Sequence, residues 1–339
     1  MTDFHAGKAF WNQREALAAA QDRLTALHEA VGHASVQSLP EMPRLYSIVL
    51  EYQPDLIVEV GRLSGNTTVV LTEAAHQLEN TPDVKSYCLT DVWQQTTVPK
   101  LASLTDAAWF APLDAQQTNV FDVDMQAVFG ASKRILFLWD AHGWKVAEYM
   151  LGVVLPLLRD REHLMMIHDI FDTRYVHHMA TQYNGAGIWA GKAPPPAQEP
   201  KERLFAGPIS TVYEEALAVL DFSTRNDLTM HGVQHELRTY IEGDEARMQA
   251  AVDLLGDIWT DFGTQWWWIS LNEKAIDAPL TFPTFTPPQP VVQTPKEKLA
   301  DQIRRDLGRY TNTNKPSPIT YLLILAKVLT GRYARYYNE

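Results

Sequence analysis

Cysteine is nearly absent from this chain: Cys88 is the only one in 339 residues, so no internal disulfide can form. The opening also lacks a charged, apolar and small-residue leader, and together these predict a reducing, cytoplasmic setting. No apolar run reaches the length of a bilayer-spanning helix, which predicts no transmembrane segment. Basic residues are scarce as well, 29 Lys and Arg against 41 Asp and Glu, for a formal net charge of −12. That balance disfavours nucleic acid as a partner, because phosphate contacts need clustered cations. The G-x-G-x-x-G turn expected of a nicotinamide oxidoreductase does not occur either.

Apolar content is ample, 46% of residues, enough for a full core. The most informative stretch reads Leu56-Ile57-Val58-Glu59-Val60, then Gly61-Arg62-Leu63-Ser64-Gly65, then Asn66-Thr67-Thr68. The first five residues predict a buried strand, the glycines bracket a tight turn, and a helix opens at Asn66 or Thr67. Gly61 allows a positive φ, Gly65 allows backbone to approach a ligand, and the N–H groups of the helix start point at that ligand. Glu59 is a carboxylate in an otherwise apolar strand, and a cationic or amine-bearing ligand is one way to satisfy it.

Around this stretch the patterning predicts helices at residues 4–31 and Met42–Tyr52 before the strand and at 67–78 after it. Further strands are expected at 84–90, 117–121, Arg134–Trp139 and 163–167, with helices around 101–109, at Met125–Phe129 and at 146–158. Residues 209–220 and 244–255 read as helices, and 236–241 and 265–271 as the sixth and seventh strands. The triplet Trp266-Trp267-Trp268 would alternate faces, with at least one ring in the core. In βαβ nucleotide folds an acidic group ending the second strand accepts the ribose hydroxyls, a role that falls to Asp91. The fourth strand leads into Asp140-Ala141-His142-Gly143 and the fifth into His168-Asp169. Asp and His are poor core residues without partners, so the two pairs predict one polar cavity at the carboxyl ends of the sheet. Two chemistries suit it: a divalent cation held by carboxylates and one His, or metal-free base catalysis by His142 oriented by Asp140 or Asp169.

The segment from Glu59 to Thr68 resembles the first motif of class I S-adenosylmethionine-dependent methyltransferases, in its E-x-G-x-x-x-G-x-[ST]-T form. Leu63 stands where many members carry a third glycine. The resemblance implies an α/β fold, a Rossmann-like seven-stranded methyltransferase sheet with helices on both faces. It implies S-adenosyl-L-methionine as cofactor, contacted by Glu59, Gly61, Ser64, Gly65, Asn66 and Thr67, with Asp122 after the third strand near the adenine amine. The D-x-H-G block at Asp140 and the His168-Asp169 pair resemble the branch holding macrocin-type sugar O-methyltransferases and cephalosporin-hydroxylase-like proteins. That likeness implies Asp140 and Asp169, with His168 beside them, as ligands of Mg2+, and His142 as the base. Members of the branch have two residues between this Asp and His, where the chain has one, and an acidic residue where His168 stands.

The expected organisation is an N-terminal helical cap at 1–40, a methyltransferase domain at 41–278 with a lid at 173–208, a linker at 279–295 with six prolines, and a C-terminal helical extension at 296–339. This extension holds nine Lys and Arg against four Asp and Glu, a local +5. Its basic amphipathic helix predicts docking on another subunit of a homo-oligomer or on an anionic membrane surface. The expected activity is O-methylation of a hydroxyl on a small-molecule acceptor, a sugar or glycosylated natural product among the candidates. The alternatives are a non-catalytic nucleotide-binding or interaction protein with the same fold and, further off, a nicotinamide oxidoreductase.

Overall fold

Leu56, Ile57, Val58 and Val60 make one strand apolar on both faces, a pattern that the middle of a parallel sheet buries. The computed structural model, which describes residues 4–32, 38–170, 211–273 and 279–281, puts them there. β1 (Leu56–Val60) pairs in parallel with β2 (Asp83–Cys88) on one side and β4 (Arg134–Trp139) on the other. β3 (Leu113–Gln117) flanks β2, and β5 (Glu162–His168) flanks β4, both parallel. β7 (Trp266–Ile269) runs antiparallel to β5, and the two-residue β6 (His231–Gly232) closes that edge. The order β3-β2-β1-β4-β5-β7-β6 is the seven-stranded, Rossmann-like sheet that the resemblance implies.

Alternation along the strands feeds both faces of the sheet. Ile57, Leu136, Leu138, Leu164, Met166, Trp266 and Trp268 join one cluster with residues of α1 (Ala6–Asn12), α2 (Arg14–Val31), α3 (Met42–Tyr52), α4 (Asn66–Ala75) and α5 (Val98–Leu101). Their neighbours Ile135, Phe137, Met165 and Ile167 are buried on the other face, where Phe129 of α6 (Met125–Phe129) meets Phe137 edge-on at 6.2 Å. Each aliphatic side chain so buried contributes about 1.5–3 kcal/mol. The chain continues through α7 (Trp144–Tyr149), α8 (Leu155–Leu157), α9 (Thr211–Asn226), α10 (Val233–Leu237) and α11 (Glu245–Leu255). Residues 1–172 and 215–282 form one compact unit, and the first two helices share its core. Among the described residues, no helix is long and apolar enough to cross a membrane. The expected lid at 173–208, most of the linker and the whole extension at 296–339 lie outside the described residues.

Four expectations are corrected. The single helix at 4–31 is two helices broken at Gln13, where the Asn12 and Gln13 amides turn to the Glu51 carboxylate at 2.7 and 2.8 Å. The third strand lies at Leu113–Gln117 rather than 117–121. The apolar Val120 and Phe121, which suggested the later position, sit in a single turn capped by the Asn119 side chain. The helix around 101–109 is displaced to α5, which follows a π-turn at Trp93–Thr97. Residues 236–241 are helical, because Val233, Leu237 and Ile241 recur every four residues and bury one stripe.

Glu236, on that misread segment, clasps the two ends of the sheet unit together. Its Oε2 accepts from the Ala6 N–H at 2.6 Å and from Trp268 Nε1 at 3.3 Å. His231 lies flat on the Trp268 ring at 3.9 Å, with Nδ1 3.4 Å from Glu236 Oε1 and Nε2 bonded to Glu273. Burial pulls the His231 imidazole down, but its hydrogen bonds to the Glu236 and Glu273 carboxylates and their charges outweigh it, leaving a pKa of about 9. A folded-state pKa raised above the ordinary His value means that this contribution to stability is complete below about pH 6.5 and is lost as pH rises towards 9. Urea unfolding should therefore show stability falling between pH 6.5 and 9.5, and a shallower fall in His231→Gln; equal slopes in the two proteins would refute the linkage.

Candidate active site

Glu59 sits in the buried centre of the sheet, where its Oε2 accepts from Thr68 Oγ1 at 2.7 Å and from Ser86 Oγ. Arg62 folds back over the same place, donating to Ser86 O at 2.7 Å, Ser86 Oγ at 2.9 Å and Gln116 O at 3.2 Å. Burial pushes the Glu59 carboxyl up, opposed by the Ser86 and Thr68 hydrogen bonds and the Arg62 charge. Burial likewise pulls the Arg62 guanidinium down against the Glu59 charge. The fold itself thus supplies the partners of Oε2 that a ligand was expected to supply, while Oε1 has no hydrogen-bond partner among the described residues.

The turn after β1 has positive φ at Gly61 (104°), Leu63 (45°) and Gly65 (91°). Leu63 thus holds the left-handed backbone at the position where the resembled motif has glycine, at a cost of about 1–2 kcal/mol. Both glycines are required by the packing of the protein itself. A Cβ on Gly65 would enter the Trp93 ring, and one on Gly61 would collide with the Asp140 carbonyl and come within 2.8 Å of the Ala141 nitrogen. Ser64, Asn66 and Thr67 are buried; the Ser64 carbonyl accepts from Thr97 Oγ1 at 2.8 Å, and Asn66 and Thr67 open α4 behind Gly65. Asp91 lies three residues beyond β2 and holds the Gln95 side-chain amide. Asp122 is exposed in the turn after β3.

The strand ends bring the second group of residues to the same rim. The Asp140 N–H donates to the Val60 carbonyl at 2.8 Å, and the Gly61 N–H to the Tyr87 carbonyl at 3.0 Å, tying the ends of β4, β1 and β2 together. Asp140 Oδ1 lies 3.0 Å from His168 Nδ1 and 3.6 Å from His142 Nε2. His168 is buried against the Trp266 ring at 4.5 Å, with Asp169 Oδ1 3.4 Å from Nδ1 and Glu41 Oε1 3.5 Å from Nε2. Burial lowers the His168 pKa, but Asp140, Glu41 and Asp169 together raise it to about 10. In this arrangement Nδ1 of His168 is engaged by Asp140 and Asp169 and Nε2 faces Glu41, so the ring sits behind the carboxylates. His142 takes its place in the geometry: Asp140, His142 and Asp169 each offer one donor atom, all within 4.8 Å of one another. Asp169 holds φ at 57°, a left-handed backbone of the kind that recurs at functional sites.

No protein-family model and no curated protein matches the chain. Solved structures similar to it include the O-methyltransferase TomG from Streptomyces achromogenes in complex with SAM, at 13% identity, 62% of this chain, 80% of that chain and a TM-score of 0.38. The O-methyltransferase from Bacillus cereus in complex with SAH is 10% identical over 65% of this chain and 81% of that one, with a TM-score of 0.36. The SAH-bound methyltransferase PaMTH1 of Podospora anserina is 10% identical over 68% and 82%, with a TM-score of 0.37. What decides the fold is the order and direction of the strands. The chain has the class I methyltransferase fold.

In this methyltransferase fold, the residues singled out in the sequence lie at or beyond the carboxyl ends of β1, β2, β4 and β5, with Asp122 in the turn beyond β3. Three neighbours escaped the sequence reading. Arg62 lay in a variable position of the motif, Trp93 in an irregular stretch, and Glu41 in the turn before α3, where no motif marks it. The two carboxylates of this donor set suit a hard divalent cation such as Mg2+, while its imidazole suits a softer one such as Fe2+ or Zn2+. The orphaned Glu59 Oε1 and the opening N–H groups of α4 fit a cofactor at the turn.

Proposed function

We propose that this protein transfers a methyl group from S-adenosylmethionine to a hydroxyl of a small metabolite. The observation that supports it most directly is the Asp140 N–H to Val60 carbonyl bond, which joins the glycine turn to the Asp and His cluster at one rim. Glu59, the start of α4 and Asp91 would hold the cofactor, Asp91 through the ribose hydroxyls, and Asp122 is proposed for the adenine amine. The exposed apolar side chains Leu63, Leu89 and Phe121, at the ends of three neighbouring strands, offer a surface for a purine ring. S-adenosylmethionine supplies a methyl group already activated for transfer, so the residues need only orient the acceptor and take its proton.

Asp140, Asp169 and His142 would hold Mg2+, whose Lewis acidity would lower the pKa of the acceptor hydroxyl. Where no ion is held, His142 would take the proton on Nδ1, with Asp140 Oδ1 at 3.6 Å from Nε2 as its orienting group. Carboxylates dominate this rim, which disfavours an anionic acceptor and favours a neutral polyhydroxyl such as a sugar. The +5 of residues 296–339 leaves −17 for the rest of the chain (−12 less +5), a complementarity that favours docking of the extension on a second copy in a homo-oligomer.

Calorimetry with S-adenosylhomocysteine tests the reading. The expected result is saturable binding, weakened about tenfold in Asp91→Ala by loss of hydrogen bonds to a charged acceptor. No binding heat, or equal binding by the variant, would refute the cofactor assignment. Incorporation of labelled methyl into a metabolite extract, with and without chelator, then tells the metal-dependent route from the metal-free one.

A further inference from the structure

His168 is the hub of the Asp and His cluster, and its ring is held from three sides. Asp140 and Asp169 face Nδ1, and the Trp266 ring covers one face. Glu41 faces Nε2 at 3.5 Å from the opposite edge. Glu41 comes from the segment in front of α3, 127 positions before His168, and is itself fixed at both oxygens. Oε2 accepts from the Ser38 N–H at 3.2 Å, and Oε1 accepts from Thr264 Oγ1 at 3.2 Å, whose oxygen also accepts from the Trp266 N–H. Both carboxylate and ring are buried. A buried carboxylate held by two donors keeps one direction. A ring hydrogen-bonded to Asp140 at Nδ1 cannot turn about its χ2 axis without also losing the ion-pair contact with Glu41, which stands at 3.5 Å from an Nε2 that has no hydrogen bond of its own among the described residues.

We propose that Glu41 is a positioning residue: by bracing His168 from the Nε2 side it fixes the directions in which Asp140 and Asp169 present their oxygens to the site. The proposal rests on the reading of Asp140, His142 and Asp169 as a donor set. Groups behind the ligands of a metal commonly change its affinity 10–100-fold when removed, and Glu41 stands one residue further back, so an effect of about five- to tenfold is expected.

Two measurements test it without a known acceptor. In protein labelled with 15N at histidine, Glu41→Gln should move the His168 Nε2 resonance and leave that of His163, which bonds the Leu271 N–H, in place. Mn2+ titrated against the full chain and followed by electron paramagnetic resonance should bind five- to tenfold more weakly to Glu41→Gln, with S-adenosylhomocysteine affinity within twofold of the parent. Thr264→Val, which removes the hydroxyl that aims Glu41 but no charge, should shift both readouts in the same direction by less. An unmoved His168 resonance in a folded Glu41→Gln protein overturns the proposal, as does Mn2+ affinity equal to that of the parent. If the parent itself binds no Mn2+, the metal reading fails, and the His168 resonance alone decides for or against Glu41.

Discussion

Gly61→Ala is expected to destabilise the protein by about 3 kcal/mol and to reduce S-adenosylhomocysteine binding at least 100-fold. The new Cβ would strike the Asp140 backbone, which no rotamer change can move, at a residue whose φ of 104° already excludes most side chains. Relief requires the ends of β1 and β4 to part, and that breaks the Asp140 N–H to Val60 carbonyl bond on which the shared rim depends. For a unit of this size the loss corresponds to roughly 6–12 °C in Tm. Gly65→Ala is the natural contrast, because its Cβ meets the Trp93 side chain rather than backbone. Differential scanning calorimetry and ligand titration of the two variants check the ranking, and a Gly61→Ala protein with unchanged Tm would contradict the packing described above.

Asp140→Asn should have the larger effect on chemistry and the smaller one on folding. The amide oxygen can still accept from His168 Nδ1, so stability should fall by only about 1–2 kcal/mol. The charge, however, is lost from the single atom that faces both His168 and His142 and serves the donor set with Asp169. Mn2+ affinity should fall more than 100-fold, and methyl incorporation about 1,000-fold, the range in which removal of a general base or a metal ligand falls. Retention of both would remove Asp140 from the site.

The central features were legible because they are local. Leu56–Val60, Met42–Tyr52 and Arg134–Trp139 were bounded correctly from apolar runs closed by Pro54, Asp55 and Asp140. The gathering of Asp140 with Asp169 followed from the rule that ligand groups collect at the carboxyl ends of parallel strands. The third strand was misplaced because an edge strand reading Leu-Asp-Ala-Gln-Gln carries no apolar run, while the neighbouring Val-Phe pair imitates one. The sixth strand was misplaced because six residues are too short to separate a period of two from one of four. A second reason for Gly65 was hidden, since the sequence does not reveal that the Trp93 ring would pack against it. Glu41 was invisible for a different reason: its partner Thr264 is 223 positions away, and only the closed sheet brings the two together.

The antiparallel β7 lies between β5 and β6, although it is the last of the seven strands to leave the ribosome. During synthesis the outer margin of β5 must therefore stay open until residues 266–269 emerge and slide into the gap. Trp266, which roofs His168, becomes available only in that step, so the polar cluster cannot be complete before it. A nascent chain would pass through a stage in which the glycine turn can be built while the Asp and His cluster is still unroofed.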